Sequence, residues 1–196
     1  MNYEDYVIDY TEENKPQKPP MSAKTKKKLI YLGCAALGVL VALLGFYLVG
    51  LIFSGAPTPE KAVAEYVKAH NLYDIDGMIE YSSQYNKIQL YEKRETNNRL
   101  LKAYLKKAYS GATPRYTEDE IGFALISVIE YEPETETFKT QMERYDKVTK
   151  GGSEEIEKTA VVKMKVVTGD ITTEQEYLTV KIGSRWYYAG NTTLFK

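Results

Sequence analysis

The feature that constrains this chain most is an unbroken run of 25 uncharged residues at positions 29–53, of which 21 are hydrophobic and four are glycine. As a helix rising about 1.5 Å per residue the run would reach roughly 37 Å, whereas the hydrocarbon core of a bilayer is about 30 Å thick. A helix is the one structure in which a lone segment satisfies all its backbone hydrogen bonds in lipid. The run therefore predicts a transmembrane helix and excludes a purely soluble chain.

The charges beside this run predict its orientation. Lysines crowd its N-terminal side, whereas residues 54–60 contain no Lys or Arg. Because Lys and Arg are enriched in cytoplasmic loops, we expect residues 1–28 in the cytoplasm and residues 54–196 outside it. The cytoplasmic tail has too few apolar residues for a core and is expected to be disordered. The residues expected to contact anionic lipid headgroups are Lys24, Lys26, Lys27 and Lys28.

Two processing alternatives remain open. A cleaved signal peptide has an apolar region of only about 7–15 residues, although small residues at positions 54–56 offer a cleavage site. A lipoprotein-type cut before Cys34 would leave only residues 29–33 between the lysines and the cut. We therefore expect an uncleaved signal anchor, in which Cys34 is a helix residue or a site of reversible palmitoylation.

Four small residues of the predicted membrane helix share one face, at spacings of i, i+4, i+8 and i+11. They are Cys34, Gly38, Ala42 and Gly45. Small residues let a second helix approach closely, so this face predicts helix–helix association and a homo-oligomer. The alternative is that these residues are present only because Gly and Ala are common in membrane helices in general.

The remaining chain, residues 57–196, is long enough for one extracytoplasmic domain. With 26 Lys and Arg against 27 Asp and Glu, the protein is not a strongly basic nucleic-acid binder. Its one cysteine cannot form an internal disulfide and leaves the external domain without a thiol. A disulfide-free external domain favours the envelope of a Gram-positive-type bacterium.

The first part of this domain is predicted to be helical. Thr58 followed by Pro59 is typical of a helix start, and a second short helix is expected after Asp74 or Asp76. A third helix is expected to run to about Tyr109. The residues expected on its buried side are Leu100, Leu101, Tyr104, Leu105 and Ala108.

The second part is predicted to be mostly strands. Residues 121–131 are rich in β-formers, residues 137–146 return to helical spacing, and residues 159–167 and 172–182 follow as strands. Gly183 and Ser184 are typical of a two-residue hairpin turn before a last strand. The predicted fold is α+β, with three helices packed on an antiparallel sheet of about four strands.

Three segments carry a resemblance to a known family. They are the opening Pro-Thr-Pro-Glu-Lys-Ala-Val-Ala-Glu-Tyr, the Leu-Tyr-Asp-Ile-Asp-Gly-Met helix start and the closing Val-Lys-Ile-Gly-Ser-Arg-Trp-Tyr-Tyr hairpin. Together with the order of elements they resemble the nuclear-transport-factor-2-like (cystatin-like cone) superfamily over about residues 57–190. The resemblance implies a cone-shaped domain whose helices pack into a curved sheet. Membrane-anchored bacterial relatives often carry an extra helix after the first strand.

Residues with catalytic or metal-binding chemistry are few. His70 is the single histidine and Cys34 lies in the predicted membrane helix, so neither a Ser-His-Asp or Cys-His arrangement nor a usual zinc site is supported. Residues 151–153 lack the spacing of a phosphate-binding loop. We expect no metal and no cofactor. The family resemblance leaves one enzymatic alternative open, in which an Asp or Tyr at the mouth of the cone acts on a hydrophobic substrate.

Aromatic residues supply the candidate binding site. Tyr and Trp bring a large contact area at a small entropy cost, which suits a ligand or partner surface. Three candidates are expected in the loop region between the second and third helices, and two in the final hairpin. They are Tyr81, Tyr85, Tyr91, Trp186 and Tyr188.

These patterns predict a single-pass plasma-membrane protein that displays a non-enzymatic binding or assembly domain at the cell envelope. The expected partner is an envelope protein, a wall polymer or a small ligand, and no nucleic acid. The more specific alternative is the bitopic cone-fold subunit of a conjugation or type IV secretion machine. That subunit has the same order of short tail, membrane helix and external domain.

Overall fold

The computed structural model describes residues 38–39, 54–91 and 97–195. The chain divides into two compact units, Met1–Val49 and Gly50–Lys196. In the first unit Gly38 and Val39 are helical and exposed. No helix among the described residues is long and apolar enough to cross a membrane. The other predicted membrane-associated residues lie outside the described residues: most of 29–53, Lys24, Lys26, Lys27, Lys28, Cys34, Ala42 and Gly45.

Four helices form the first part of the second unit. They are α1 (Pro59–Asn71), α2 (Ile75–Glu80), α3 (Gln84–Tyr91) and α4 (Asn98–Ala108).

Local capping positions these helices. Thr58 precedes α1 with an extended backbone, as the sequence predicts, but its side chain makes no capping hydrogen bond. The carboxylate of Asp74 accepts a hydrogen bond from the backbone N–H of Gly77 at 3.2 Å and so begins α2. The side chain of Asn97 accepts one from the N–H of Arg99 at 2.9 Å and begins α4.

The second part is a four-stranded antiparallel meander in the order β1-β2-β3-β4. Its strands are β1 (Ile121–Tyr131), β2 (Ile156–Thr168), β3 (Ile171–Ile182) and β4 (Arg185–Asn191). A fifth helix, α5 (Glu136–Thr149), connects β1 to β2, and a short 3₁₀ helix, Thr192–Phe195, follows β4. Between β3 and β4, Gly183 has a φ of +58°, which a two-residue hairpin turn requires.

Helices cover both faces of the sheet. Because successive side chains of a strand point to opposite faces, neighbouring residues pack against different helices. Tyr177 of β3 packs with α1, α2 and α4, whereas its neighbour Leu178 packs with α5. Buried residues of the first cluster include Val63, Tyr66, Met78, Leu101, Leu105, Val162, Met164, Val166, Tyr177 and Tyr188. Buried residues of the second cluster are Tyr85, Phe138, Met142, Tyr145, Ile156, Leu178, Val180, Ala189 and Phe195.

The predicted α+β class and the four antiparallel strands are confirmed, while the number of helices is wrong. The described part of the second unit has five helices: α3 lies where a loop was expected, α4 is the expected third helix, and α5 corresponds to the helical spacing predicted at residues 137–146. On α4 only Leu101 and Leu105 are buried, whereas Leu100, Tyr104 and Ala108 are exposed. A helix that packs through one narrow i, i+4 stripe buries fewer residues than a broad apolar face would.

Candidate functional site

The two edge strands of the sheet, β1 and β4, differ in how their outward-facing backbone groups are hydrogen-bonded. At the β4 edge, Ala56 and Trp186 exchange two backbone N–H···O hydrogen bonds of 2.9 Å. Further along β4, the N–H of Tyr188 donates to the carbonyl oxygen of Tyr81, and the N–H of Ser83 donates to the carbonyl oxygen of Tyr188, both at 2.8 Å. The outward-facing backbone groups of Trp186 and Tyr188 are therefore satisfied by the start of the domain and by the segment between α2 and α3.

The β1 edge has no such cover in the described part of the chain. β1 pairs with β2 alone, and no turn or loop there makes a backbone hydrogen bond to residues 122–131. Three large aliphatic side chains of this strand are exposed: Leu125 by 51%, Ile126 by 44% and Ile129 by 52%. Glu130 is the one charged residue of this strand, and an edge with exposed aliphatic residues is a surface that another chain can pair with.

A β-bulge divides this edge. Leu125 lies opposite Met164 and Ser127 lies opposite Lys163, so Ile126 is an extra residue without a partner on β2. The bulge interrupts regular pairing and reverses which face the following side chains point to. The regular segment beyond the bulge, residues 127–131, pairs with residues 159–163 without a break.

A groove with a volume of about 460 Å³ opens beside that regular segment, on the α5 side of the sheet. Ile129 and Val161, which are direct cross-strand partners, both line it. The other lining residues come from the end of β1, the first two turns of α5, β3 and the C-terminal 3₁₀ helix. They are Tyr131, Glu136, Thr137, Thr140, Gln141, Glu176, Thr192 and Phe195.

The groove combines apolar side chains with fixed polar ones. Gln141 is buried, and its Oε1 accepts a hydrogen bond of 2.6 Å from the hydroxyl of Thr159. Two carboxylates, Glu136 and Glu176, line the groove, and none of the lining residues is Lys or Arg. Glu136 forms an exposed ion pair with Lys139 at 2.8 Å, which water screens. The groove therefore combines apolar side chains with two carboxylates, one of which is ion-paired.

A second depression of about 310 Å³ continues from this groove through the shared residues Glu176 and Thr192. There the ammonium of Lys163 lies 2.9 Å from the carboxylate of Glu174. Their hydrogen bond raises the pKa of Lys163 and lowers the pKa of Glu174, so both stay charged at neutral pH.

The five aromatic residues predicted as a binding site do not form one surface. Tyr85, Trp186 and Tyr188 are buried, each in a different hydrophobic cluster, while Tyr81 and Tyr91 are half-buried. The expected loop location is wrong for Tyr85 and Tyr91, which both belong to α3.

Tyr188 has a packing role, as the ring of Tyr66 stacks on it with centroids 4.0 Å apart and planes 10° apart. Burial raises the pKa of Tyr188 far above its ordinary value, and the neighbouring Tyr66 and Tyr177 add to the effect. Burial also raises the pKa of Tyr66, whose side chain hydrogen-bonds Asn86. Both phenols are therefore neutral at physiological pH.

Polar groups inside the domain are matched to partners. Every buried side-chain nitrogen or oxygen in the described part of the chain has a hydrogen-bond partner. Over those same residues, no three His, Cys, Asp or Glu side chains lie close enough together to hold a metal ion.

The sequence pattern did not indicate the groove or the exposed residues of β1. Residues 121–129 are mostly apolar at both the odd-numbered and the even-numbered positions, which is typical of a strand buried on both faces. Which strand lies at the edge depends on strand order, and strand order is set by tertiary pairing. A weak signal was available, since a mostly apolar stretch followed by four acidic residues within residues 130–136 marks an abrupt change of surface.

Comparison with protein-family models finds no match, and comparisons with curated proteins and with solved structures find no significant match. The likeness to the nuclear-transport-factor-2-like superfamily therefore stays a prediction from sequence.

Proposed function

We propose that this chain is a bitopic membrane protein that displays a non-enzymatic binding or assembly domain on the outside of the plasma membrane. The uncharged run at residues 29–53 and the lysines before it support the anchor and its orientation. The order of four helices followed by a meander supports a cone-shaped domain similar to the nuclear-transport-factor-2-like superfamily.

The observation that carries the assembly function is the exposed aliphatic edge of β1. Fully burying a Leu or Ile side chain contributes about 1.5–3 kcal/mol, so covering the exposed half of Leu125, Ile126 and Ile129 contributes roughly 2–4 kcal/mol. An edge of this kind is an aggregation hazard unless something pairs with it or covers it. A partner that binds there would cover these aliphatic side chains and so account for their exposure in the domain alone.

Orientation can be tested by cysteine labelling of the full-length chain in intact cells. In a Cys34→Ala background, Ser184→Cys places a thiol on the exposed β3–β4 turn, and Ser22→Cys places one in the tail. A membrane-impermeant maleimide should label the first variant in intact cells and the second only after permeabilisation. The opposite labelling pattern would reject the proposed orientation.

Assembly can be tested by photo-crosslinking in cells of the natural host. A photoreactive phenylalanine at Ile126 is compared with the same residue at Ile171, which is 51% exposed at the β2–β3 turn. We expect a light-dependent adduct to an envelope component at position 126 and none at position 171. Equal adducts at both positions, or none at position 126, would reject a partner at the β1 edge.

A further inference from the structure

We infer that the β1 edge is a strand-addition site for an extended peptide segment that carries apolar and basic side chains on one face. The segment pairs with residues 127–131 and directs those side chains into the groove of about 460 Å³. The inference rests on the proposed assembly function and names the class of partner that it would take.

The main chain of β1 supplies the pairing surface. In an antiparallel ladder about half of a strand's N–H and C=O groups point away from its one partner, and in β1 that side has no strand or loop of the described chain bonded to it. An added strand gains affinity from these groups. The bulge at Ile126 limits regular pairing to the five residues that follow it.

The side chains of β1 place the groove in line with the added strand. Ile129 and Val161 form a cross-strand row that lines the groove, and a strand added to β1 would extend this row by about 4.8 Å. Alternate side chains of the peptide on that face would lie over Ile129 and Tyr131. An aliphatic side chain there would cover the exposed half of Ile129.

The charge of the groove selects a basic peptide. Glu136 and Glu176 line it, with Lys139 paired to Glu136 and Lys163 opposite Glu176 on β2. The excess negative charge comes from residues 116–138, which contain seven Asp and Glu and no Lys or Arg, so a peptide ammonium or guanidinium meets opposite charge beside β1. The depression that continues from it adds Glu174 with its partner Lys163. A peptide with Glu at the same position would meet like charge.

The same charges argue against a second copy of this chain as the occupant. No Lys or Arg occurs between Arg115 and Lys139, whereas that stretch contains seven Asp and Glu residues. A second copy pairing through β1 would add apolar side chains but no Lys or Arg to a groove whose charged lining residues are Glu136 and Glu176. The bulge also turns Leu125 and Ile129 toward opposite faces of the sheet, so the two halves of the strand cannot pair in one continuous register.

The test is fluorescence polarisation with the full-length protein in detergent micelles. The probes are labelled, end-blocked heptapeptides of the form Thr-Ile-Thr-X-Thr-Ile-Thr, with X as Lys, Arg, Gln or Glu. We expect saturable binding of the Lys and Arg probes, at least tenfold weaker binding of the Glu probe, and loss of binding when alternate peptide nitrogens are methylated. No saturable binding of the Lys or Arg probe overturns the inference, and so does equal binding of the Glu probe.

Matched protein variants locate the site. Ile129→Lys should weaken binding of the Lys probe at least tenfold, whereas Ile171→Lys, the same change at an equally exposed position away from the groove, should leave it unchanged. Equal effects of the two variants would overturn the inference. A peptide-free dimer that Ile129→Lys dissociates would assign the edge to a second copy and overturn it as well.

The outcomes separate this inference from the proposed function. If position 126 crosslinks in cells but no probe binds, strand addition is wrong and the assembly function stands. If the probes bind but no adduct forms in cells, the strand-addition site stands and the proposed cellular role fails.

Discussion

Each edge of this sheet has backbone N–H and C=O groups that no neighbouring strand pairs, and the two edges differ in whether other segments cover them. At the β4 edge four backbone hydrogen bonds of 2.8–2.9 Å join the strand to Ala56 and to the α2–α3 segment, and Trp186 and Tyr188 are buried beneath them. At the β1 edge three aliphatic side chains are about half exposed, and the described chain provides no bonded cover. The comparison indicates that the stability of the domain depends on the covered edge, and under the proposed function the exposed edge is where a partner binds.

The largest expected effect is a loss of stability at alkaline pH, which should depend on the tyrosines buried on the two faces of the sheet. Burial raises the pKa of Tyr66, Tyr145, Tyr177 and Tyr188. Unfolded tyrosines lose their protons near pH 10. The stability that these phenols contribute is thus fully present below about pH 10 and is lost as the pH rises toward their folded pKa values.

Urea midpoints of the full-length chain at pH 8, 10 and 11 measure this effect. Tyr188→Phe should reduce the loss of stability between pH 10 and 11, and the exposed Tyr104→Phe should not. A midpoint that stays constant up to pH 11 would contradict the prediction.

Trp186→Ala should give the next largest effect. The side chain is 5% exposed and packs with Ala56, Ala62 and Ala160, so its removal leaves a large cavity next to the covered edge. We expect a loss of about 3–5 kcal/mol in the free energy of unfolding, measured by far-UV circular dichroism in urea. A loss of less than 1 kcal/mol would mean that the β4 edge does not hold the domain together.

Gly55→Ala should have an intermediate effect, because it disturbs the segment that covers β4. Gly55 has a φ of +74°, and a Cβ there would lie 2.7 Å from the ring of Tyr187. Gly111→Ala is the matched control, since Gly111 has a φ of +77° but open space around it. We expect about 1 kcal/mol for the backbone strain at Gly111 and roughly 2–3 kcal/mol at Gly55. Equal losses would show that the contact with Tyr187 has no role.

Ile126→Ser should have the smallest effect on stability. The side chain is 44% exposed and lies in the bulge, so we expect a change within about 0.5 kcal/mol in the same urea experiment. The variant should still weaken an interaction that covers Ile126. A loss above 2 kcal/mol would assign Ile126 to the core and remove the contrast between the two edges.

The sequence predicted the elements whose signals are local. β1 and the helix after it have strong local patterns, and Gly183 with Ser184 fixes the last hairpin, so their positions agree closely with the structure. Helix α3 was missed because residues 81–91 were interpreted as a loop. It is only eight residues long and one of its three buried residues, Asn86, is polar, so it lacks a clear apolar stripe.

The candidate site was not predictable in the same way. Tyr85 and Trp186 were chosen for their chemistry, but their burial depends on contacts with residues far along the chain, such as Tyr145 and Ala56. The groove likewise joins β1, α5, β3 and the C-terminal 3₁₀ helix. A site that forms only when distant segments come together produces no local pattern in the sequence.

The short bridge between Ala56 and Trp186 has a consequence for how copies of this domain associate. Open-ended growth of β-sheets from one molecule to the next requires two exposed edges on each molecule, so that every addition creates a new acceptor. With one edge occupied by its own chain, each molecule can accept a strand but offers no second edge to extend the array. Copies of this domain that paired through their sheets would therefore form complexes of fixed size instead of fibres.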